Sequence, residues 1–113
     1  MTQIAAKRWE SMRTEETRGV EKLLQEAGFD RPNAYRYNSA SIRVRVIDPR
    51  FEGLSREERD AMVEPHLGRL PERTQADIIT LITFAPSELV GGPANLREFM
   101  QNMEFEDPSR SML

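Results

Sequence analysis

Five arginines and both tyrosines of the chain crowd into residues 31–50, and these side chains are the best suited to recognition chemistry. A guanidinium fork pairs with carboxylates or phosphates and stacks on aromatic rings. Arg43 and Arg45 are two apart, so they share one side of an extended strand. Arg36, flanked by Tyr35 and Tyr37, joins them if the hairpin register allows. A face built from Arg36, Arg43, Arg45, Tyr35 and Tyr37 suits an acidic protein partner. It also suits nucleic acid, whose phosphates pair with arginine and whose bases stack on tyrosine. The same pattern fits an ordinary sheet face whose arginine stems cover apolar surface while their heads stay wet.

Other chemistries find little material. The single histidine, His66, follows Pro65 in a helical stretch, and no Gly-x-Ser-x-Gly elbow supplies a serine for it. With no cysteine there is no thiolate nucleophile, disulfide or cysteine-ligated metal. Paired histidines, an EF-hand loop and a His-Glu-x-x-His helix are all missing. Gly91-Gly92-Pro93 is a turn, not a phosphate loop, since Pro93 removes a backbone donor. The 19 acidic residues leave one enzymatic alternative, a carboxylate-based site, which needs a pocket gathering two acidic groups. No catalytic residue, metal ligand or cofactor is assigned.

The 113 residues suit a single domain, 1–113, with a hydrophobic core. No apolar run reaches the roughly 20 residues that span a bilayer, and the N-terminus lacks the apolar centre of a secretory leader. Together with the absence of cysteine this points to the cytoplasm. Net charge is −3, but residues 31–50 carry +4, so the remainder carries −7. An acidic protein with one basic segment is not a general nucleic-acid binder.

The elements that must position the arginines follow from periodicity. Thr14 caps a helix carrying Val20, Leu23, Leu24 and Ala27 on one stripe, with Gly28 as its stop. Residues 1–13, with Ile4, Trp9 and Met12, either extend this helix at its N-terminus or form a separate turn. Ala34–Tyr37 and Ser41–Ile47 read as an antiparallel hairpin joined by Asn38-Ser39-Ala40. Ile42, Val44 and Val46 point one way and Arg43 and Arg45 the other. Ser55 and Glu58 form a capping box for a helix directing Leu54, Met62 and Leu67 inward, and Pro65 divides that region into helices over 56–64 and 65–70. Asp77–Phe84 is a strand with apolar groups on both faces. Asn95 and Glu98 start a last helix whose Leu96, Phe99, Met100 and Met103 form one apolar stripe, which serves the core or, in the second reading, a partner. The tail 106–113 frays. The order α-β-β-α-α-β-α predicts an α+β, two-layer fold with a three-stranded mixed sheet and helices on one face. Ile79 or Leu81 on its outer face would need a cover, for which a homodimer is one solution.

The run Ile42-Arg43-Val44-Arg45-Val46-Ile47-Asp48-Pro49-Arg50-Phe51-Glu52-Gly53-Leu54-Ser55 resembles the strand and Phe-x-Gly turn of BolA-like proteins. Arg59, Met62 and Leu67 match positions of that family's next helix. Ala85-Pro86-Ser87-Glu88-Leu89 is similar to its Thr-Pro-x-Glu segment. The likeness covers roughly residues 18–90 and implies a fold similar to a type II KH domain. It would also imply the iron–sulfur cluster that the family shares with monothiol glutaredoxins, but the ligand positions have changed. The signature histidine falls at Ala76, between Gln75 and Asp77, and the His/Cys-bearing loop is reduced to Asn38-Ser39-Ala40. Without imidazole or thiolate there, iron–sulfur ligation is not expected. The functional expectation is therefore a non-catalytic protein-binding or adaptor domain, acting through the arginine face or through Phe99, Met100 and Met103. RNA or DNA binding is the first alternative.

Overall fold

The computed structural model describes residues 7–113, so the first six residues of the expected N-terminal extension, Ile4 among them, lie outside the described residues. What is described of that extension is a 3-10 turn, Arg8–Met12, which buries Trp9. Helix α1 (Glu15–Glu26) begins at Thr14, where Thr14 and Thr17 cap each other's backbone N–H at 3.2 and 2.8 Å. It ends in a Schellman turn: the Phe29 N–H reaches back to the Leu24 carbonyl and the Gly28 N–H to that of Gln25. Gly28 takes φ 99°, which side chains disfavour.

Strand β1 (Arg31–Asn38) starts three residues before its expected boundary and includes Pro32. Proline is tolerated there because β1 is an edge strand. Strand β2 (Ser41–Ile47) pairs antiparallel with β1 and parallel with β3 (Ile78–Phe84), giving the mixed order β1-β2-β3. Asp48 then accepts from the Arg50 N–H at 2.8 Å, and Gly53 at φ 77° turns the chain toward α2 (Arg56–Leu67). The Ser55–Glu58 capping box forms as its spacing predicts, at 3.1 and 3.0 Å.

Pro65 does not split this region. Helix α2 runs through it to Leu67, and the next helix is α3 (Glu72–Asp77), in place of 65–70. Proline at position 65 removes one helical hydrogen bond close to the C-terminus, and the buried Val63 and Leu67 anchor the turns around it. The last helix is α4 (Leu96–Glu106).

The molecule is α+β, and α1 and α2 layer on one sheet face as the pattern predicts. Val20 and Leu24 of α1, Val63 and Leu67 of α2, and Ala34, Ile42, Val44 and Val46 of the sheet form the main core, with Leu54 and Met62 packed at its margin. Each fully buried Val or Leu contributes about 1.5–3 kcal/mol. The other sheet face is also covered in part. There Trp9, Tyr35 and Phe105 make a second cluster, with Met12, Tyr37 and Ile82 against it. The tail beyond Glu106, expected to fray, is tied to that face. Arg8 Nη1 donates to the Pro108 carbonyl at 2.6 Å, and the Tyr37 hydroxyl donates to that of Ser109 at 2.7 Å.

Candidate functional site

Register decides which arginines meet. The hairpin turn pairs Asn38 with Ser41, and continuing that register would set Arg36 opposite Arg43. A bulge at Tyr37 shifts the pairing by one, so Arg36 lies opposite Ile42 and Tyr35 opposite Arg43. A one-residue slip exchanges the faces. Arg36 is therefore separated from Arg43 and Arg45, against the expectation that it joins them. It bonds Glu16 of α1 and, at 2.9 Å, Asp77 of α3, tying both helices to β1. Its bond with Glu16 raises its pKa, against the opposing effect of burial.

On the other face, Arg45 is 4% exposed. Its Nη1 donates to Asn102 at 2.6 Å and to Glu106 at 2.9 Å, and Nε and Nη2 donate to the Asn33 side-chain oxygen. The guanidinium carbon sits 4.5 Å from the centre of the Phe105 ring. A buried guanidinium is tolerated only when hydrogen-bonded, and here all three nitrogens donate. Burial lowers the Arg45 pKa. At Glu106, burial pushes the other way from the Lys7 and Arg45 cations, which prevail and hold the carboxylate below its ordinary value. The pair stays ionised at neutral pH.

Arg43 is built similarly but sits nearer solvent. Its guanidinium carbon stacks 3.6 Å from the centre of the Tyr37 ring, and Nη1 donates to the Tyr35 hydroxyl at 3.1 Å and to Glu104 at 2.9 Å. Burial raises the pKa of Tyr35, so it remains a neutral phenol. Burial also opposes ionisation of Glu104, but its bonds from Ser109 and Arg43 outweigh this and lower its pKa. Tyr35 is fully buried, so its ring offers no platform to a base.

These arginines determine how α4 lies. A buried guanidinium needs acceptors, and α4 supplies the Asn102 amide oxygen and the Glu106 carboxylate four residues apart, with Phe105 beside them as the buried apolar residue of the helix. With that side turned inward, the apolar stripe turns out. Leu96 is 54% exposed, Met100 60% and Met103 55%, while Phe99 is half-buried and its ring lies against Gly91. Of the two readings of that stripe, core or partner surface, the first does not apply to Leu96, Met100 and Met103. Arg45 and Asn102–Glu106, the pairing that sets this orientation, were not recognised from sequence. The available signal was a polar i, i+4 pair opposite in character to two strand arginines.

Between α4 and β3 lies an open groove of about 540 Å³, rimmed by Met100, Ile79 and Glu104. Leu81 packs against the main core, whereas Ile79 is 70% exposed. A smaller cleft of about 210 Å³, at the start of α2, contains Arg59, Glu88 and Glu98. It does gather two carboxylates, but Arg59 grips Glu88 at 2.6 and 3.0 Å and lowers its pKa. A general acid needs a shift in the opposite direction. Every carboxylate shift resolved among the described residues is downward.

His66 packs edge-on against Phe29 with ring centres 5.7 Å apart. Among the described residues no group of three or more His, Asp or Glu could hold a metal ion, and no helix is long and apolar enough to cross a membrane. No family model matches the chain, and neither a curated protein nor a solved structure matches it.

Proposed function

We propose that this chain is a non-catalytic protein-binding domain of BolA-like architecture, without iron–sulfur ligation. In this reading it docks an apolar segment of another protein on Leu96, Met100 and Met103. The observation that carries the reading is the orientation of α4, whose polar side is spent on Arg43 and Arg45 while its apolar side has no cover within the described residues. Methionine stripes adapt to irregular apolar partners. Among the residues that carry the BolA likeness, Arg59 and Glu88 meet in a bidentate pair and Gly53 forms the turn after Phe51, which supports the architecture. The arginine face adds little to a nucleic-acid reading, because Arg43 and Arg45 are already paired with carboxylates.

A photo-crosslinking residue placed in turn at Leu96, Met103 and, as a control, Ser11 tests the proposal in the organism's own cells. The expected result is one discrete protein adduct from positions 96 and 103, absent from position 11 and abolished by Met100→Glu. Equal background at all three positions overturns it.

A further inference from the structure

The sheet has two edges, and they are closed to different extents. On β1 the Ala34 N–H points outward and donates to Glu21 at 3.0 Å, and Pro32, two residues earlier on the same side, has no N–H. On β3 the Phe84 carbonyl accepts from the Asp48 N–H beyond β2, so it points inward. The Thr83 carbonyl points the other way and accepts from Arg59 at 3.2 Å. Alternation then turns the N–H and C=O of Leu81 outward too, away from β2 at the edge of the sheet. Charges, proline, bulges and coverage are the usual protections of an edge, and β3 has a bulge at Ile79 and Arg59 over Thr83. β3 contains no charged residue and no proline, and its bulged residue, Ile79, which has no partner in β2, is largely exposed.

We propose that two copies of this chain join β3 to β3, antiparallel, about a two-fold axis at Leu81. The Leu81 N–H and C=O of each copy bond those of the other, and Ile79 of one copy comes beside Thr83 of the second, where Arg59 on the Thr83 carbonyl ends the pairing. The flanking charges suit this pairing. Helix α2 runs alongside β3 in the opposite direction, with Arg56 near Ile82 and Glu64 near Ile78 and Ile79. The axis exchanges these ends, so Arg56 of each copy approaches Glu64 of the other. The same axis, perpendicular to the sheet, keeps both α4 helices on one face of the joined sheet. The pairing stands on β3 and the α2 charges beside it, and is independent of what docks on α4.

Sedimentation and amide exchange on the purified chain test it. At roughly 100 μM the expected mass is twice the 13.1 kDa of the chain. The Leu81 amide should exchange more slowly as concentration rises. Ile79→Lys, at a largely exposed position, should weaken the dimer by about tenfold or more with the circular dichroism spectrum unchanged. Arg56→Glu should weaken it as well, and adding Glu64→Arg should restore it. A monomer with fast Leu81 exchange at every concentration overturns the proposal. So does a dimer indifferent to Ile79→Lys, which would place the interface elsewhere.

Discussion

The two faces of the sheet are closed by different forces. Under α1 and α2 the contact is apolar, with Val20, Leu24, Val44 and Val63 excluded from solvent. Under α4 it is a polar seam with a small aromatic centre: Arg45 with Asn102 and Glu106, Arg43 with Glu104, and Trp9, Tyr35 and Phe105 between. Apolar burial is non-directional and indifferent to pH, whereas an ion pair must be matched in geometry and depends on ionisation. The contrast explains the outward stripe. A helix held by its polar side has its apolar side left over.

The largest effect should come from the apolar face. Phe51→Ala empties a fully buried site against Phe29 and should cost about 4 kcal/mol in chemical denaturation. A loss under about 1 kcal/mol would mean that this face is not the main core. On the polar seam, Arg45→Ala should cost about 3 kcal/mol, because it leaves the Asn33 side-chain oxygen without its donors and takes from Glu106 one of its two cations. Arg45→Met, which refills the volume, should cost less. Equal costs would show that the volume contributes nothing beyond the charge and its hydrogen bonds.

The contrast also has a pH signature. Glu104 and Glu106 have depressed folded pKa values, so their contribution is complete above the unfolded value and is lost as pH falls through the folded one. Trp9, the single tryptophan, packs on Phe105 with ring centres 5.5 Å apart and so reports on the seam. Its emission should change on acidification below about pH 4. In Arg45→Met the midpoint should move to higher pH, since Glu106 loses its guanidinium. An unmoved midpoint would detach the acid transition from that pair. The smallest effect should be Arg43→Ala, about 1 kcal/mol or less, because Glu104 is 43% exposed and solvent screens it.

Much of the architecture was legible in the chain. The alternation of Ser41–Ile47 separated Val44 from Arg43 without ambiguity, and the caps at Thr14 and Ser55 marked true helix starts. Two features were hidden for physical reasons. The bulge at Tyr37 reverses the side on which Arg36 emerges, and no local residue pattern announces it. Pro65 is a strong breaker by propensity, yet tertiary burial of Val63 and Leu67 overrides the loss of one hydrogen bond. The stripe of α4 was visible, but its direction was not, because that depends on arginines more than 50 residues away in the chain. An open edge at Leu81 likewise follows only from strand order, which periodicity does not encode.

The orientation of α4 is the central claim, and methionine oxidation tests it most directly. In the isolated chain treated with peroxide, Met103 should oxidise within about threefold of the rate of the fully exposed Met112, and well ahead of Met62, which packs against the core. Met103 protected as strongly as Met62 would mean that α4 turns its apolar stripe inward, and the account would fail.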